Sequence, residues 1–113
     1  DSFFEIQNFI VPKKQSTIRH SYHIYPLQIE FDKISLTKLQ LFEKMEKAGV
    51  KLQVHYIPIH LQAFYRKNYG FQKGEFPIAE KFYYNELSLP IYPDLSDNDI
   101  SSVINNILGI IAK

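Results

Sequence analysis

An amphipathic helix between two alternating segments is the feature that most constrains the fold of this chain. Apolar side chains recur at helical spacing within 35–48, and Gly49 stands where a left-handed residue commonly ends a helix. Apolar and polar residues alternate within 22–31 and again within 50–57, as they do in strands with one buried face. Such a helix has to bury its apolar stripe, so the sequence predicts a sheet with this helix packed on one face.

The rest of the chain predicts two short helices, a third strand and a final helix. In order, these are 60–68, a helix starting at Pro77, 87–91, and a helix capped by Ser96. The expected fold class is therefore α+β, with a small three-stranded sheet, mostly antiparallel or mixed, and its helices on one face. Ser35 is the predicted N-cap of the first helix. The open face of the sheet is expected to hold Gln28, Gln53 and His55.

Composition excludes several classes of protein. A chain of 113 residues that is 45% hydrophobic and 22% charged has the size and composition of one globular domain. No apolar run approaches the roughly 20 residues of a membrane span, and no secretory leader is visible, so we expect a cytoplasmic protein. The absence of cysteine excludes disulfide scaffolds and thiolate zinc sites. A net charge of +1 gives no field that would attract nucleic acid or a membrane surface.

The amino-terminal region suggests a piece of a longer protein. The sequence does not begin with Met, and its first residues have no clean period. We therefore expect 1–19 to be a lead-in from a missing large domain and 20–113 to be the domain itself. Near Tyr22 and Ile24, both faces of the first predicted strand are apolar. That pattern predicts an exposed apolar patch, shared with Phe3–Phe9, that the missing domain would cover.

Two segments, 19–26 and 55–65, concentrate the residues that could carry chemistry. They contain the four histidines as two pairs, His20 with His23 and His55 with His60. Metal binding is disfavoured, because positions three apart on a strand point to opposite faces and no carboxylate adjoins either pair. The sequence contains neither a nucleophile elbow nor a glycine-rich phosphate loop. On residues alone, these segments are either satisfied core residues or part of a ligand site.

These segments also carry a family resemblance. The stretches HSYHIYPLQI, VHYIPIHLQAFY and FPIAEKFYYNELSLPIYP, followed by the Ser96-capped helix, resemble in content and order the C-terminal domain of DegT-type sugar aminotransferases. The resemblance extends from about Pro12 to the end of the chain. Within the family, HSYHIYP and VHYIPIHLQ are most similar to the branch that aminates UDP-linked 4-keto-6-deoxy sugars in pseudaminic acid biosynthesis.

The resemblance implies a pyridoxal phosphate (PLP) enzyme with the aspartate-aminotransferase type of fold. This chain would be the small domain of a cytoplasmic homodimer, and the missing large domain would hold the Schiff-base lysine and the cofactor. The fragment alone is expected to bind no PLP or metal and to be inactive. The small domain would supply part of the site for a UDP-sugar, whose amino group comes from a glutamate-like donor. The implied substrate-binding residues are His23, Tyr25, Tyr56 and His60, with Arg19 and His20 facing the diphosphate.

Two other classes remain open on the sequence. One is a free-standing ferredoxin-like domain that binds a partner or senses a ligand through its exposed sheet face. The other is a single-stranded RNA binder with aromatic side chains on the sheet, which the near-zero net charge and the two arginines disfavour.

Overall fold

The computed structural model describes Phe3 and residues 5–112 of the chain. Three strands lie within this part: β1 (Phe9–Ile10), β2 (Tyr25–Ile29) and β3 (Glu86–Leu89). Its α-helices are α1 (Lys38–Lys47), α2 (Ala63–Tyr69), α3 (Pro77–Asn85) and α4 (Asp97–Ile111). Single 3₁₀ turns occupy Phe31–Lys33 and Ile59–Leu61. None of the helices in the described part is long and apolar enough to cross a membrane.

The strands form one antiparallel sheet in the order β1-β2-β3. Phe9 pairs with Ile29 on one side of β2, and Leu27 pairs with Leu87 on the other. Two- to five-residue strands cannot be stable alone, so the sheet depends on what packs against it. The α+β fold class predicted from the sequence is confirmed.

One hydrophobic core joins the sheet to α1 and α4. Leu27, Ile29 and Leu87 of the sheet are completely buried. They belong to the same cluster as Leu41 and Met45 of α1 and Val103 and Ile107 of α4. The two helices therefore cover one face of the sheet, as the periodicity predicts.

The predicted strand at 50–57 is wrong. Within it only Gln53 pairs with β3, through backbone hydrogen bonds of 3.2 and 2.8 Å to Ser88. The N–H of His55 donates to the Glu86 carboxylate at 3.1 Å and to no backbone carbonyl. The Glu86 side chain thus binds the N–H of His55, which would otherwise have continued the backbone hydrogen bonding with β3. The segment therefore pairs with the outer edge of β3 at Gln53 alone.

The strand that completes the sheet is β1, which lies in the segment predicted to be the lead-in. Phe9–Ile10 pairs with β2, and Phe3 and Phe9 are buried in the core at 3% and 9% exposure. The expectation that these two phenylalanines form an exposed patch is therefore wrong, while Phe4 lies outside the described residues. Tyr22 is half exposed, and Ile24 is partly buried.

Capping explains where the long helices begin. Thr37, rather than the predicted Ser35, is the N-cap of α1, because its hydroxyl and the Gln40 side chain satisfy each other's backbone N–H groups. Ser96 and Asp99 make the same reciprocal pair at α4, which confirms the predicted cap. Gly49 follows α1 with φ of 78°, in the left-handed conformation expected of it.

The second face of the sheet is not open as predicted. Its polar residues on β3, Glu86 and Ser88, are 0% and 5% exposed. Of the three side chains expected to lie exposed there, Gln53 is exposed, whereas Gln28 and His55 are partly buried. The backbone of the 50–57 segment, at the outer edge of β3, takes up the side chain of Glu86 through the N–H of His55.

Two leucine-to-alanine substitutions in α1 should show how much of its contribution to stability comes from the buried side chains rather than from helix propensity. We expect Leu41→Ala to lower the free energy of unfolding by about 2–5 kcal/mol, since it leaves a cavity in the core. Leu39→Ala, on the exposed side of the same helix at 68% exposure, should change it by less than about 0.5 kcal/mol. Urea unfolding of both variants measures the difference, and equal losses would contradict this assignment of the core.

Candidate functional site

A polar cleft lies where the segment before β2, the segment 51–56 and the end of β3 meet. Its volume is about 440 Å³. It is lined by His23, Ile24, Lys51, Gln53, His55, Tyr56, Ser88, Leu89, Pro90, Ile91 and Tyr92. Pro90 follows the last residue of β3 at this edge, and proline has no N–H with which to continue the ladder. The cleft thus combines imidazole, phenol, amide, hydroxyl and ammonium groups on a rigid frame.

The structure brings together some of the predicted site residues. His23 and Tyr56 both line the cleft, and Tyr56 is 69% exposed. Tyr25 lies at the start of β2, opposite Leu89 in the register. Burial raises the pKa of the Tyr25 phenol above its usual value.

Arg19 and His20 lie apart from this cleft. Both are exposed, and neither lines it. The His20 Nδ1 accepts the backbone N–H of Tyr22 at 2.8 Å, and the two rings lie 4.8 Å apart. This contact fixes the shape of the segment that leads to His23.

His60 is buried in a polar pair. It is 6% exposed, and its Nε2 lies 2.8 Å from Oε1 of Glu80. The same carboxylate oxygen accepts the backbone N–H of Gly74 at 2.7 Å. The hydrogen bond from His60, and then that from Gly74, hold the pKa of Glu80 below its usual value. The pair ties the turn after Pro58 to α3.

The sequence prediction did not identify Glu86, Ser88 and His55 as a group of residues in contact. The Ser88 hydroxyl donates to Oε1 of Glu86, and its oxygen lies 2.7 Å from Nδ1 of His55. Glu86 is completely buried on β3. A signal exists in the sequence, since Glu86 and Ser88 alternate with Leu87 and Leu89 on a strand whose end carries prolines. The sequence does not show that His55 is the residue that Glu86 and Ser88 contact.

A second depression adjoins the first and is mostly apolar. Its volume is about 660 Å³, and it lies between the Tyr56–Pro58 turn and the start of α3. His55 and Tyr56 line both depressions. Several of its lining side chains are strongly exposed, namely Tyr56, Phe76 and Ile78 at 69%, 46% and 87%.

The described residues of the polar cleft do not include all the groups that a PLP site needs. PLP enzymes need a lysine for the Schiff base and an acidic partner for the pyridine nitrogen. Among the described residues, Lys51 is the lysine of the cleft, and it is exposed. No carboxylate of the described part lines the cleft, and the nearby Glu86 already accepts hydrogen bonds at both oxygens.

Comparison with known proteins identifies the family. The chain belongs to the DegT/DnrJ/EryC1/StrS aminotransferase family, whose profile matches residues 1–108. This match agrees with the resemblance found in the sequence. It favours the aminotransferase interpretation over a free-standing sensing domain or an RNA binder.

Two relatives have names that indicate a role in sugar metabolism. The spore coat polysaccharide biosynthesis protein SpsC of Bacillus subtilis is 32% identical over 97% of this chain and 28% of its own length. The UDP-4-amino-4,6-dideoxy-N-acetyl-beta-L-altrosamine transaminase of Campylobacter jejuni is 34% identical over 84% of this chain and 24% of its own. The chain therefore spans less than a third of these relatives.

A solved structure agrees with the fold. The candidate sugar aminotransferase Spr1654 of Streptococcus pneumoniae, in its PMP form, superposes with a TM-score of 0.85 at 31% identity. The match covers 99% of this chain and 28% of that protein. The same protein has also been solved in a PLP form, with a TM-score of 0.84.

The Glu80 pair should give a pH-dependent contribution to stability. Because the folded-state pKa of Glu80 is lowered, its contribution is complete above the ordinary glutamate value of about 4.3 and is lost as the pH falls toward the folded value. We expect Glu80→Gln to be destabilising at pH 7 and the difference from wild type to shrink below about pH 4.

Urea unfolding at several pH values measures this difference. Glu43→Gln, at an exposed position of α1, is the matched control and should show little effect at any pH. A Glu80→Gln penalty that stays constant between pH 7 and pH 3 would show that the carboxylate charge contributes nothing.

The isolated chain should not bind PLP at a specific lysine. The expected spectrum of chain plus PLP is that of free cofactor, and borohydride reduction should leave no stoichiometric modification of one lysine. Visible absorption and peptide mass spectrometry test this, with the full-length protein as the positive control. One lysine modified to completion in the isolated chain would contradict it.

Proposed function

We propose that the protein containing this chain is a PLP-dependent aminotransferase whose acceptor is a UDP-linked keto sugar of the 4-keto-6-deoxy type. In this proposal the chain is the small C-terminal domain, with 20–113 as the domain and 1–19 as the lead-in, whose Phe9–Ile10 strand completes the sheet of the domain. The family match and the two sugar-related relatives support the reaction class. The sugar named for the Campylobacter relative supports the sugar class.

The observation that carries the proposal is the polar cleft between the two sequence segments that resemble the family. A sugar ring presents hydroxyl groups that both donate and accept hydrogen bonds, and it presents apolar C–H faces. The cleft offers imidazoles, phenols and an ammonium group beside exposed aromatic surface. We assign His23 and Tyr56, which line the cleft, to the sugar, together with Tyr25, which pairs with Leu89 of the cleft wall.

Arg19 and His20 are proposed to face the diphosphate. They lie on the exposed segment that leads directly to His23, so a nucleotide-sugar in the cleft can extend along them. The guanidinium of Arg19 suits phosphate oxygens by charge and geometry. His60 stays a predicted substrate contact, although its pair with Glu80 gives it a structural role as well.

The residues of this chain would bind and orient the sugar. PLP, held by the rest of the protein, supplies the electron sink through which an amino group passes from a glutamate-like donor to the keto carbon. The cleft wall would place that carbon and exclude water from it. Because the described residues lack a full cofactor site, the fragment alone should be inactive.

The apolar depression beside the cleft is proposed as the contact surface for the rest of the polypeptide. Its exposed side chains Tyr56, Phe76 and Ile78 form a surface of a kind that isolated domains rarely leave uncovered. The chain spans only 28% and 24% of the two relatives, so a large part of such a protein is available to cover it. A homodimer of the full-length protein is part of the same proposal.

Removing one cleft hydroxyl in the full-length protein tests the function. Tyr56→Phe should raise the KM for the UDP-keto sugar about 2- to 12-fold, the loss of one hydrogen bond. The half-reaction with the amino donor should be unchanged, because no sugar is present. Stopped-flow measurement of the two half-reactions separates these effects.

Tyr84→Phe is the matched control, since Tyr84 is 56% exposed and does not line the cleft. It should leave both half-reactions unchanged. An equal loss in both half-reactions for Tyr56→Phe, or no turnover of any UDP-keto sugar by the wild-type protein, would contradict the proposal.

A further inference from the structure

The hydroxyl of Ser88 lies between a carboxylate and an imidazole. It donates to Oε1 of Glu86 at 2.5 Å, and its oxygen is 2.7 Å from Nδ1 of His55. The other oxygen of Glu86 accepts the backbone N–H of His55 at 3.1 Å. Glu86 and Ser88 are buried at 0% and 5% exposure, and His55 is partly buried.

Glu86 acts here as an acceptor at both oxygens. Two hydrogen-bond donors face it, and the partly buried Lys38 is close enough for the two charges to attract each other. The carboxylate therefore takes the hydrogen of the Ser88 hydroxyl.

A serine hydroxyl has one hydrogen to give. Since that hydrogen points to Glu86, the Ser88 oxygen can only accept from His55. The proton of a neutral His55 ring must then be on Nδ1, which leaves Nε2 with a free lone pair. The ring lines the cleft, and Nε2 has no hydrogen-bond partner among the described residues.

Two other histidines have the opposite arrangement. The Nδ1 of His20 accepts a backbone N–H, so its neutral form carries the proton on Nε2. The Nε2 of His60 faces the carboxylate of Glu80 at 2.8 Å and must donate to it. His55 therefore differs from His20 and His60 in presenting an acceptor, and it does so at the cleft.

We propose that Glu86 and Ser88 are positioning residues that hold His55 in its Nδ1–H tautomer, so that its Nε2 accepts a hydrogen bond from a sugar hydroxyl in the cleft. The identity of the ligand rests on the proposed function, whereas the tautomer rests on this chain alone. A hydroxyl donor fits, because the phenols and the ammonium of the cleft supply donors, and the ligand's own hydroxyls then need an acceptor.

The tautomer can be observed directly in the 113-residue chain. Nitrogen-15 labelling of histidine and long-range proton–nitrogen correlation spectra at mildly alkaline pH distinguish the protonated ring nitrogen from the bare one. We expect a bare Nε2 for His55 and a bare Nδ1 for His20 and His60 in the same spectrum. His55→Gln assigns the signal by removing it. A protonated Nε2 on His55 in the wild-type chain would overturn the proposal.

Glu86→Gln provides the sharpest variant. The oxygen of the substituted amide must stay toward the backbone N–H of His55, so its NH₂ group faces Ser88 and donates to it. The Ser88 hydrogen is then released toward Nδ1 of His55, and the tautomer should invert to Nε2–H. Ser88→Ala removes the link and should give the mixture of a free imidazole. If Glu86→Gln does not fold, the spectrum of Ser88→Ala alone tests the proposal. A His55 ring that stays fully in the Nδ1–H tautomer in Ser88→Ala would overturn it.

The proposed hydrogen bond between Nε2 of His55 and a sugar hydroxyl is tested in the full-length protein. Ser88→Ala should raise the KM for the UDP-keto sugar about 2- to 12-fold and spare the donor half-reaction, and Ser88→Thr, which keeps the hydroxyl, should restore it. An unchanged KM in Ser88→Ala would overturn the assignment of Nε2 to the sugar. Absence of any turnover by the wild-type protein would refute the proposed function while leaving the tautomer measurement valid.

Discussion

A buried carboxylate organises the site of this small domain. Glu86 is completely buried on β3, which pairs with the central strand β2, and it accepts hydrogen bonds from the backbone of His55 and from the hydroxyl of Ser88. Leaving such a group without partners would cost several kcal/mol, so the 50–57 segment is held where it can supply a donor. The cleft exists because this segment is fixed against the end of β3.

The histidines show how context decides chemistry for one side chain. His60 donates to Glu80 and joins a turn to α3, whereas His55 is held by an acceptor at its other nitrogen. His23 is exposed at the cleft, and His20 shapes the segment before it. Counting histidines in the sequence indicates a polar site but not which nitrogen faces a ligand.

Much of the fold follows from local pattern. The Ser96 cap and the left-handed Gly49 depend on near neighbours, and the structure agrees with both. A helix with one buried face was predictable at 35–48, but its buried residues are Leu41 and Met45, whereas Leu39 is 68% exposed. The second predicted strand fails because the N–H of His55 is taken by the side chain of Glu86, which is distant in sequence. Phe9–Ile10 is too short to show alternation, so its pairing with β2 was not predictable. His23 and Tyr56 were found through motif resemblance, while the partners of His55 required the fold.

We propose above that the cleft formed by this chain is the sugar-binding wall of a larger aminotransferase. A crystal structure of the full-length protein with a UDP-linked sugar bound tests this most directly. We expect a sugar hydroxyl within hydrogen-bond distance of Nε2 of His55 and the sugar beside Tyr56. A sugar bound with no contact to this cleft, or a cleft filled by the rest of the polypeptide, would contradict it.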